Sequence, residues 1–205
     1  NNCTTMVVTN GSNLMPLLER CGDELDWVAL SIDSADTNTL LATGRAVKGT
    51  QPIGPEQYIA LADACRARGI RVKVNTVVTA ANVDENLSEF IERLAPERWK
   101  LFQVLPVGGQ NDGDVDSLLI TDEFFARFAD RHAHLGDMVV PESNHDMRGS
   151  YAMVDPAGRF FDNTKGRHTY SRPILNAGIE GAWDEVTFHE ARFEARGGNY
   201  AWGSK

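Results

Sequence analysis

Apolar positions along this chain fall in short runs that alternate with helical stripes. The run at 4–9, "TTMVVT", reads as a buried strand closed by the turn signal "NGSN". "LMPLLERCG" then predicts a short helix ending in glycine, and "DWVALSID" (26–33) a second apolar strand ending in polar residues. A loop containing "ATGRAVKGTQPIG" leads to Tyr58, Ile59, Leu61, Ala62 and Cys65, which recur at helical spacing up to Gly69. "IRVKVNTVV" (70–78) is the third strand. Leu87, Phe90, Ile91 and Leu94 form an i, i+3, i+4, i+7 stripe and predict an amphipathic helix over 84–94. A fourth strand spans 99–105, and Phe124, Phe125 and Phe128 mark a helix from about 122 to 135. Asp122 and Glu123 sit in its first turn, where the helix dipole favours acids. Strands separated by helices imply βαβ units and a parallel sheet.

The pattern changes near the end. "SYAMVDPAGRFFD" reads as two extended runs joined by the turn "DPAG", a β-hairpin. The stretch 162–173 is polar and loop-like, and a last short helix around 180–191 precedes "ARGGNYAW". The expected division is 1–140 as the α/β part and 141–205 as a small extension holding the hairpin and the short helix.

Composition narrows the class. A chain of 205 residues, 42% hydrophobic and 24% charged, has room for one sizeable core. With 20 Lys+Arg against 29 Asp+Glu, the net charge of -9 argues against a general nucleic-acid or anionic-membrane surface, though not against a small basic pocket. The apolar runs are far too short to cross a bilayer. Cys3, Cys21 and Cys65 make neither a disulfide framework nor a CxxC metal pair. Cys65, on the apolar side of its helix, is expected to be a small buried hydrophobe, and a reducing, cytoplasmic compartment follows.

In parallel α/β sheets ligands bind at the carboxyl ends of the strands. Polar residues stand at four such ends: Thr9-Asn10-Gly11-Ser12, Ser31 with Asp33, Asn75-Thr76, and Gln103 before Gly108-Gly109. Taken singly, Asn10 and Ser12 read better as turn formers. The third strand says more. Lys73 and Asn75 are two apart and share one face, while Val72, Val74 and Thr76 take the other. Arg98 and Lys100 repeat that spacing on the next strand, and sequential βαβ strands usually lie side by side. Lys73, Arg98 and Lys100 would then converge on a polyanion such as a triphosphate. The same cations also read as solvated strand-edge charges or as partners of acids such as Glu97, and strand geometry alone separates the two poorly.

Other signatures fail. "GRAVKG" is no P-loop, and no GxGxxG, HExxH or GxSxG occurs. His132 and His134 read as surface groups near a helix end, and Tyr151 as a core aromatic of the hairpin.

The ordered segments "TNGSN", "LSIDS", "TGRAVKG", "KVNTVV", "NVDEN", "ERWKLFQVLPVGGQN", "VPESNHDMRGSYAMVD" and "RGGNYAW" resemble the viperin family of radical S-adenosylmethionine (SAM) enzymes, with its prokaryotic and fungal relatives. The match runs through nearly the whole chain. The resemblance implies a partial (β/α) radical SAM barrel with parallel strands. It also implies a lyase that cleaves SAM at a [4Fe–4S] cluster, and the resulting 5′-deoxyadenosyl radical takes hydrogen from C4′ of CTP. The family product is 3′-deoxy-3′,4′-didehydro-CTP, a chain terminator in antiviral defence; some relatives act on GTP or UTP. By position, Ser31 and Arg45 resemble the family's SAM ligands, with Asn10 a weaker one. Lys73, Asn75, Arg98 and Lys100 resemble its nucleotide site, and Tyr151 the tyrosine proposed to give hydrogen to the substrate radical. A nucleoside triphosphate and a reductant protein are the partners implied.

One departure stands out. The family's CxxxCxxC cluster loop and "GGEP" motif are not in this sequence, so the chain is expected to be the C-terminal two-thirds of the core, incomplete and inactive by itself. Two other classes stay in view. A cluster-free module binding nucleotides or a partner accounts for the missing cysteines; a barrel enzyme acting on a sugar phosphate accounts for the cations but not for the ordered motifs.

Overall fold

The computed structural model of the protein describes residues 3–46 and 51–198. Its described residues separate into two compact units: one built from the chain up to Gln103 with Ile120–Pro141, the other from Val104–Leu119 with the described residues from Glu142 to Gly198.

The first unit is the α/β part. Its strands are β1 (Met6–Thr9), β2 (Trp27–Ser31), β3 (Arg71–Val78), β4 (Arg98–Gln103) and β5 (Val139–Glu142). They lie in the order β1-β2-β3-β4-β5, with the first three pairs parallel. A doubly wound sheet would reverse its order at a switch point; sequential order is that of a barrel segment. Between the strands run α1 (Leu14–Cys21), α2 (Thr37–Ala42), α3 (Pro55–Arg66), α4 (Ser88–Leu94) and α5 (Asp122–His132). The α/β class and the parallel sheet match the alternation of the sequence.

One sheet face carries the core. Val28, Leu30, Ile32, Val72, Val74, Trp99 and Leu101 join helix residues such as Leu18, Ala62, Cys65, Ile91 and Phe128 in one buried cluster. Each such aliphatic side chain removed from water contributes about 1.5–3 kcal/mol. Cys65 is fully buried, as its helix stripe implied, and burial raises its thiol pKa to about 11, far from reactivity. Inside this apolar layer one polar chain is fully paired: the Trp99 indole N–H donates to Thr76 Oγ1 at 2.8 Å, and that hydroxyl donates to the Ile32 carbonyl at 2.6 Å.

Several boundaries differ from the sequence pattern, each for a local reason. The helix expected over 84–94 begins at Ser88 because Asn82 organises the preceding turns and the Leu87 N–H goes to His132. α2 arises in the stretch read as loop, capped by Asp36, whose carboxylate accepts from the Thr39 N–H at 2.9 Å. His132 is not a surface group. It is fully buried at the end of α5, Nε2 accepting from Leu87 N–H at 2.9 Å and Nδ1 lying 2.8 Å from the Phe128 carbonyl. That geometry sets the neutral tautomer with hydrogen on Nδ1, and desolvation holds its pKa below 6.5. His134 is exposed.

The second unit holds α6 (Asn144–Met147), then β6 (Met153–Val154), β7 (Arg159–Asp162) and β8 (Thr169–Pro173), an antiparallel sheet in that order, and α7 (Ile174–Trp183) and α8 (Glu190–Ala195). The hairpin across "DPAG" forms as expected. The stretch 162–173 does not stay a loop. Its second half is β8, a strand without apolar alternation, held by backbone pairing and by Ser171 Oγ, which accepts from the Phe160 N–H at 3.0 Å. The last helix is likewise two helices. Gly178, at φ +74°, breaks helical geometry inside α7, and the carboxylate of Glu185 turns back to Arg172, accepting from its N–H at 2.7 Å and Nε at 2.6 Å. Phe160, Trp183, Phe188 and Phe193 make a half-buried aromatic cluster here, with successive ring centroids 5.1–5.8 Å apart. No helix among the described residues is long and apolar enough to cross a membrane.

Candidate functional site

The face of the first sheet opposite the apolar cluster carries the predicted substrate residues. Parallel strands in register put neighbouring side chains on the same face, about 4.8 Å apart. One rung reads Ala29–Lys73–Arg98, the next Ser31–Asn75–Lys100. The expected side-by-side placement of β3 and β4 is therefore present, and Ser31 joins the second rung. Lys73 and Lys100 are only 6% and 5% exposed. Burying an ammonium group is costly unless something compensates its charge. Asn75 adds a second feature on this face: its Oδ1 is buried without a hydrogen-bond partner. An unsatisfied carboxamide oxygen costs about 1–3 kcal/mol and is an acceptor for a hydroxyl or N–H donor. Glu97 pairs with Arg71 at 3.0 Å, and Lys73, Arg98 and Lys100 have interactions of their own with the surrounding protein.

A second group forms at the carboxyl ends of β1 and β2. Asn10, Gly11, Arg45, Pro52, Ile53 and Tyr58 are among the walls of a cavity of about 380 Å³. Asn10 does act as a turn former, its Oδ1 accepting from Ser12 N–H at 3.0 Å and Ser12 Oγ at 2.8 Å, and it faces the cavity as well. Arg45 pairs through Nε with Oδ2 of Asp33, whose Oδ1 accepts from the Val77 N–H at 2.8 Å. Asp33 is buried, and desolvation outweighs Arg45, so its pKa lies above 3.8. Burial, then the Asp33 charge, raise the Tyr58 phenol to about 12; it stays protonated and donates to the Asn10 carbonyl at 3.2 Å. Asn10 and Arg45 thus meet at one cavity, while Ser31 stands on the rung of Asn75 and Lys100. Of "GRAVKG", residues 47–49 lie outside the described residues, as does "RGGNYAW" from 199 onward.

Asn82, which the pattern did not single out, ties these strand ends together. It is 1% exposed; its Nδ2 donates to the carbonyls of Asp33 at 2.6 Å and Val77 at 2.9 Å, and its Oδ1 accepts from Thr79 N–H at 2.7 Å. Ser34 Oγ, nearby in sequence to Asp33, donates to the Glu85 carboxylate at 2.7 Å. Only "NVDEN", polar where a helix was expected, hinted at this role.

Tyr151 belongs to the second unit, just before β6. It is half-buried, not a plain core aromatic, and its hydroxyl donates to Oε2 of Glu142. Glu142 is fully buried and also pairs, through Oε1, with Arg196 Nη1 at 3.2 Å. Neither Glu142 nor Arg196 stood out in the sequence, since nothing local marks a charge as buried.

The class these features define is an α/β protein of sequentially ordered parallel strands, with cationic and polar side chains gathered on one sheet face and at strand ends. No protein-family model matches the chain. It is 47% identical over 200 residues to an S-adenosylmethionine-dependent nucleotide dehydratase of Lacinutrix mariniflava, covering 97% of this chain and 42% of the relative. It is 45% identical over 202 residues to the enzyme of that name from Flammeovirga pacifica, covering 97% and 68%. It is 37% identical over 202 residues to S-adenosylmethionine-dependent nucleotide dehydratase RSAD2 of Oncorhynchus mykiss, covering 96% and 57%. Among solved structures, Streptococcus suis SuiB bound to S-adenosylmethionine aligns at a TM-score of 0.43 with 15% identity over 68% of this chain and 31% of SuiB. The chain belongs to the S-adenosylmethionine-dependent nucleotide dehydratase family, and it spans 42% to 68% of the length of these three curated relatives.

Proposed function

We propose that the complete protein is a radical SAM dehydratase converting a nucleoside triphosphate, CTP foremost, to its 3′-deoxy-3′,4′-didehydro form in antiviral defence. This chain supplies its nucleotide-holding part. The observation that carries the reading is the pair of rungs on β3 and β4: Lys73 beside Arg98 and Asn75 beside Lys100, with both lysines buried. Cations in such surroundings gain most from a multiply charged anion, because a low local dielectric strengthens the attraction. Lys73, Arg98 and Lys100 would neutralise the triphosphate, and the unsatisfied Asn75 oxygen would accept a hydrogen bond from the nucleotide. Tyr151 would return a hydrogen atom to the substrate.

Family chemistry draws on two further groups, SAM and a [4Fe–4S] cluster, which when bound supply the 5′-deoxyadenosyl radical. The cluster does not fit the residues in hand. Cys3 is exposed, Cys21 half-buried and Cys65 buried, and no three His, Cys, Asp or Glu gather as a metal site among the described residues. SAM fits better: Arg45 and Asn10 on the cavity wall suit its carboxylate and hydroxyl groups, while Ser31, on the rung of Asn75, takes its ribose role from the family resemblance alone. The unpaired thiols suit a reducing, cytoplasmic compartment, and the family's radical chemistry would draw its electron from a reductant protein.

Calorimetry of the chain with CTP, GTP and UTP tests the nucleotide reading, with saturable binding expected for at least one. The full reaction is tested in protein carrying the remaining length of its relatives. Given SAM, a one-electron reductant and the nucleotide, 5′-deoxyadenosine and a didehydro-nucleotide should form together. SAM cleavage that never couples to any nucleoside triphosphate would overturn the proposal.

A further inference from the structure

The geometry points to Glu142 and Arg196 as positioning residues for Tyr151, fixing where its phenolic oxygen and hydrogen stand; the inference rests on the hydrogen-donor role proposed for Tyr151. Three sequence-distant segments meet in one cluster, in which Glu142, Ser150 and Arg196 are buried and Tyr151 half-buried: Glu142 at the end of β5, Ser150-Tyr151 before β6, and Arg196 after α8. Each contact constrains the tyrosine in a different way. Glu142 Oε2 takes the hydroxyl hydrogen. The Arg196 guanidinium lies 3.9 Å from the Tyr151 ring centroid and restrains the ring's plane. Its Nη2 donates to the Ser150 carbonyl at 2.8 Å, holding the backbone immediately before the ring. Glu142 Oε1 receives Arg196 Nη1 at 3.2 Å and closes the loop of contacts.

Stability alone is a poor account of this arrangement. Glu142 is 0% and Arg196 9% exposed, and desolvation of such a pair can cancel its Coulomb attraction, so apolar replacements are often tolerated. What an apolar pair cannot supply is direction. A carboxylate offers only acceptors, so the phenol is held as a donor. A hydroxyl hydrogen also turns about the C–O bond without moving the ring. The hydrogen can therefore wait on Glu142 and swing to a substrate while the oxygen stays in place. In the transfer, the phenol O–H bond breaks homolytically and a C–H bond forms on a carbon-centred nucleotide radical. The neutral phenoxyl left behind regains one electron from a one-electron reductant and one proton from solvent.

Glu142→Gln replaces two acceptor oxygens with one oxygen and an NH₂ group. Tyr151 and Arg196, both donors, then compete for a single acceptor, and the phenol is displaced or reversed. On this chain, 3-fluorotyrosine labelling of its four tyrosines, with Tyr151→Phe identifying the relevant resonance, reads the hydrogen bond directly by ¹⁹F NMR. Glu142→Gln should shift the Tyr151 resonance and leave that of Tyr58 unmoved. In the full-length protein supplied with SAM, reductant and CTP, the same variant should keep the KM for CTP and the rate of 5′-deoxyadenosine formation. Its didehydro-nucleotide yield per 5′-deoxyadenosine should fall roughly tenfold or more, the scale set by sub-ångström misplacement of a reacting group. Where Glu142→Gln fails to fold, Arg196→Lys keeps the charge but loses the stacked plane and forked donors, and carries the same two readouts. An unmoved resonance, or a moved resonance with an unchanged yield, overturns the inference while leaving Tyr151 in its role. An unchanged yield in Tyr151→Phe overturns that role and the inference with it.

Discussion

Lys100 stands directly across the β3–β4 ladder from Asn75, and Ser31 is in register on the other side of Asn75. A buried ammonium therefore shares its rung with a carboxamide whose oxygen has no partner. Removing the ammonium should show in nucleotide affinity before anything else. Lys100→Ala is expected to weaken CTP binding by about 1.5–3 kcal/mol, the range for hydrogen bonds to charged groups. Isothermal calorimetry on the chain measures this directly, and an unchanged affinity would take Lys100 out of the site.

The Asp33–Arg45 pair predicts a pH dependence. Asp33 has a folded pKa above 3.8, since burial outweighs the lowering effect of Arg45. A carboxyl raised in this way contributes stability that is complete below its unfolded pKa and is lost as pH rises through the folded value. Arg45→Ala removes a lowering influence and moves the folded value further up. The variant should therefore lose more stability than the parent as pH rises above 3.8. Urea unfolding across that range checks it, and adding Asp33→Asn should abolish the difference in slope.

His132 predicts the opposite sign. Its folded pKa is below 6.5 because the ring is desolvated, so the stability it contributes is complete above 6.5 and is lost as pH falls through the folded value. The melting temperature should drop on acidification below 6.5. His132→Gln, which can still accept from the Leu87 N–H, should flatten that part of the profile. A slope equal to the parent's would show that other groups set it.

The side chain of Asn82 closes four hydrogen bonds in a buried site. Asn82→Ala leaves the carbonyls of Asp33 and Val77 and the Thr79 N–H without these partners. A loss of about 2–3 kcal/mol in unfolding free energy is expected. Hydrogen exchange should show the faster opening concentrated at residues 77–85, and a uniform change across the chain would argue against a local tether.

Gly149 sets the turn that delivers Ser150 and Tyr151. It has φ +71°, and a Cβ there would lie 2.6 Å from Thr164 Oγ1 and 2.7 Å from the His189 ring. Gly149→Ala should cost about 1–3 kcal/mol from backbone strain alone, with the steric clash adding to it. Thermal denaturation of the variant tests this, and a parent-like melting temperature would mean that the turn is more adaptable than its geometry implies.

The sequence by itself determined the α/β class, the positions of β1–β4 and the shared face of Lys73 with Asn75 and of Arg98 with Lys100. Those follow from periodicity: a strand's side chains alternate whatever its neighbours are, and apolar runs between helical stripes leave few other folds. The candidate site residues on that face were legible for the same reason. Tertiary structure decided the rest. β8 is polar and exists because its backbone pairs with β7, while the broken α7 depends on one glycine conformation and on Glu185 turning back to Arg172. His132 looks like a surface histidine until Leu87 and Phe128 close around it. Glu142 and Arg196 are 54 positions apart, and each reads as an ordinary solvated charge. Burial and pairing are properties of where the chain returns to itself, so no local pattern could have placed that carboxylate under the hydroxyl of Tyr151.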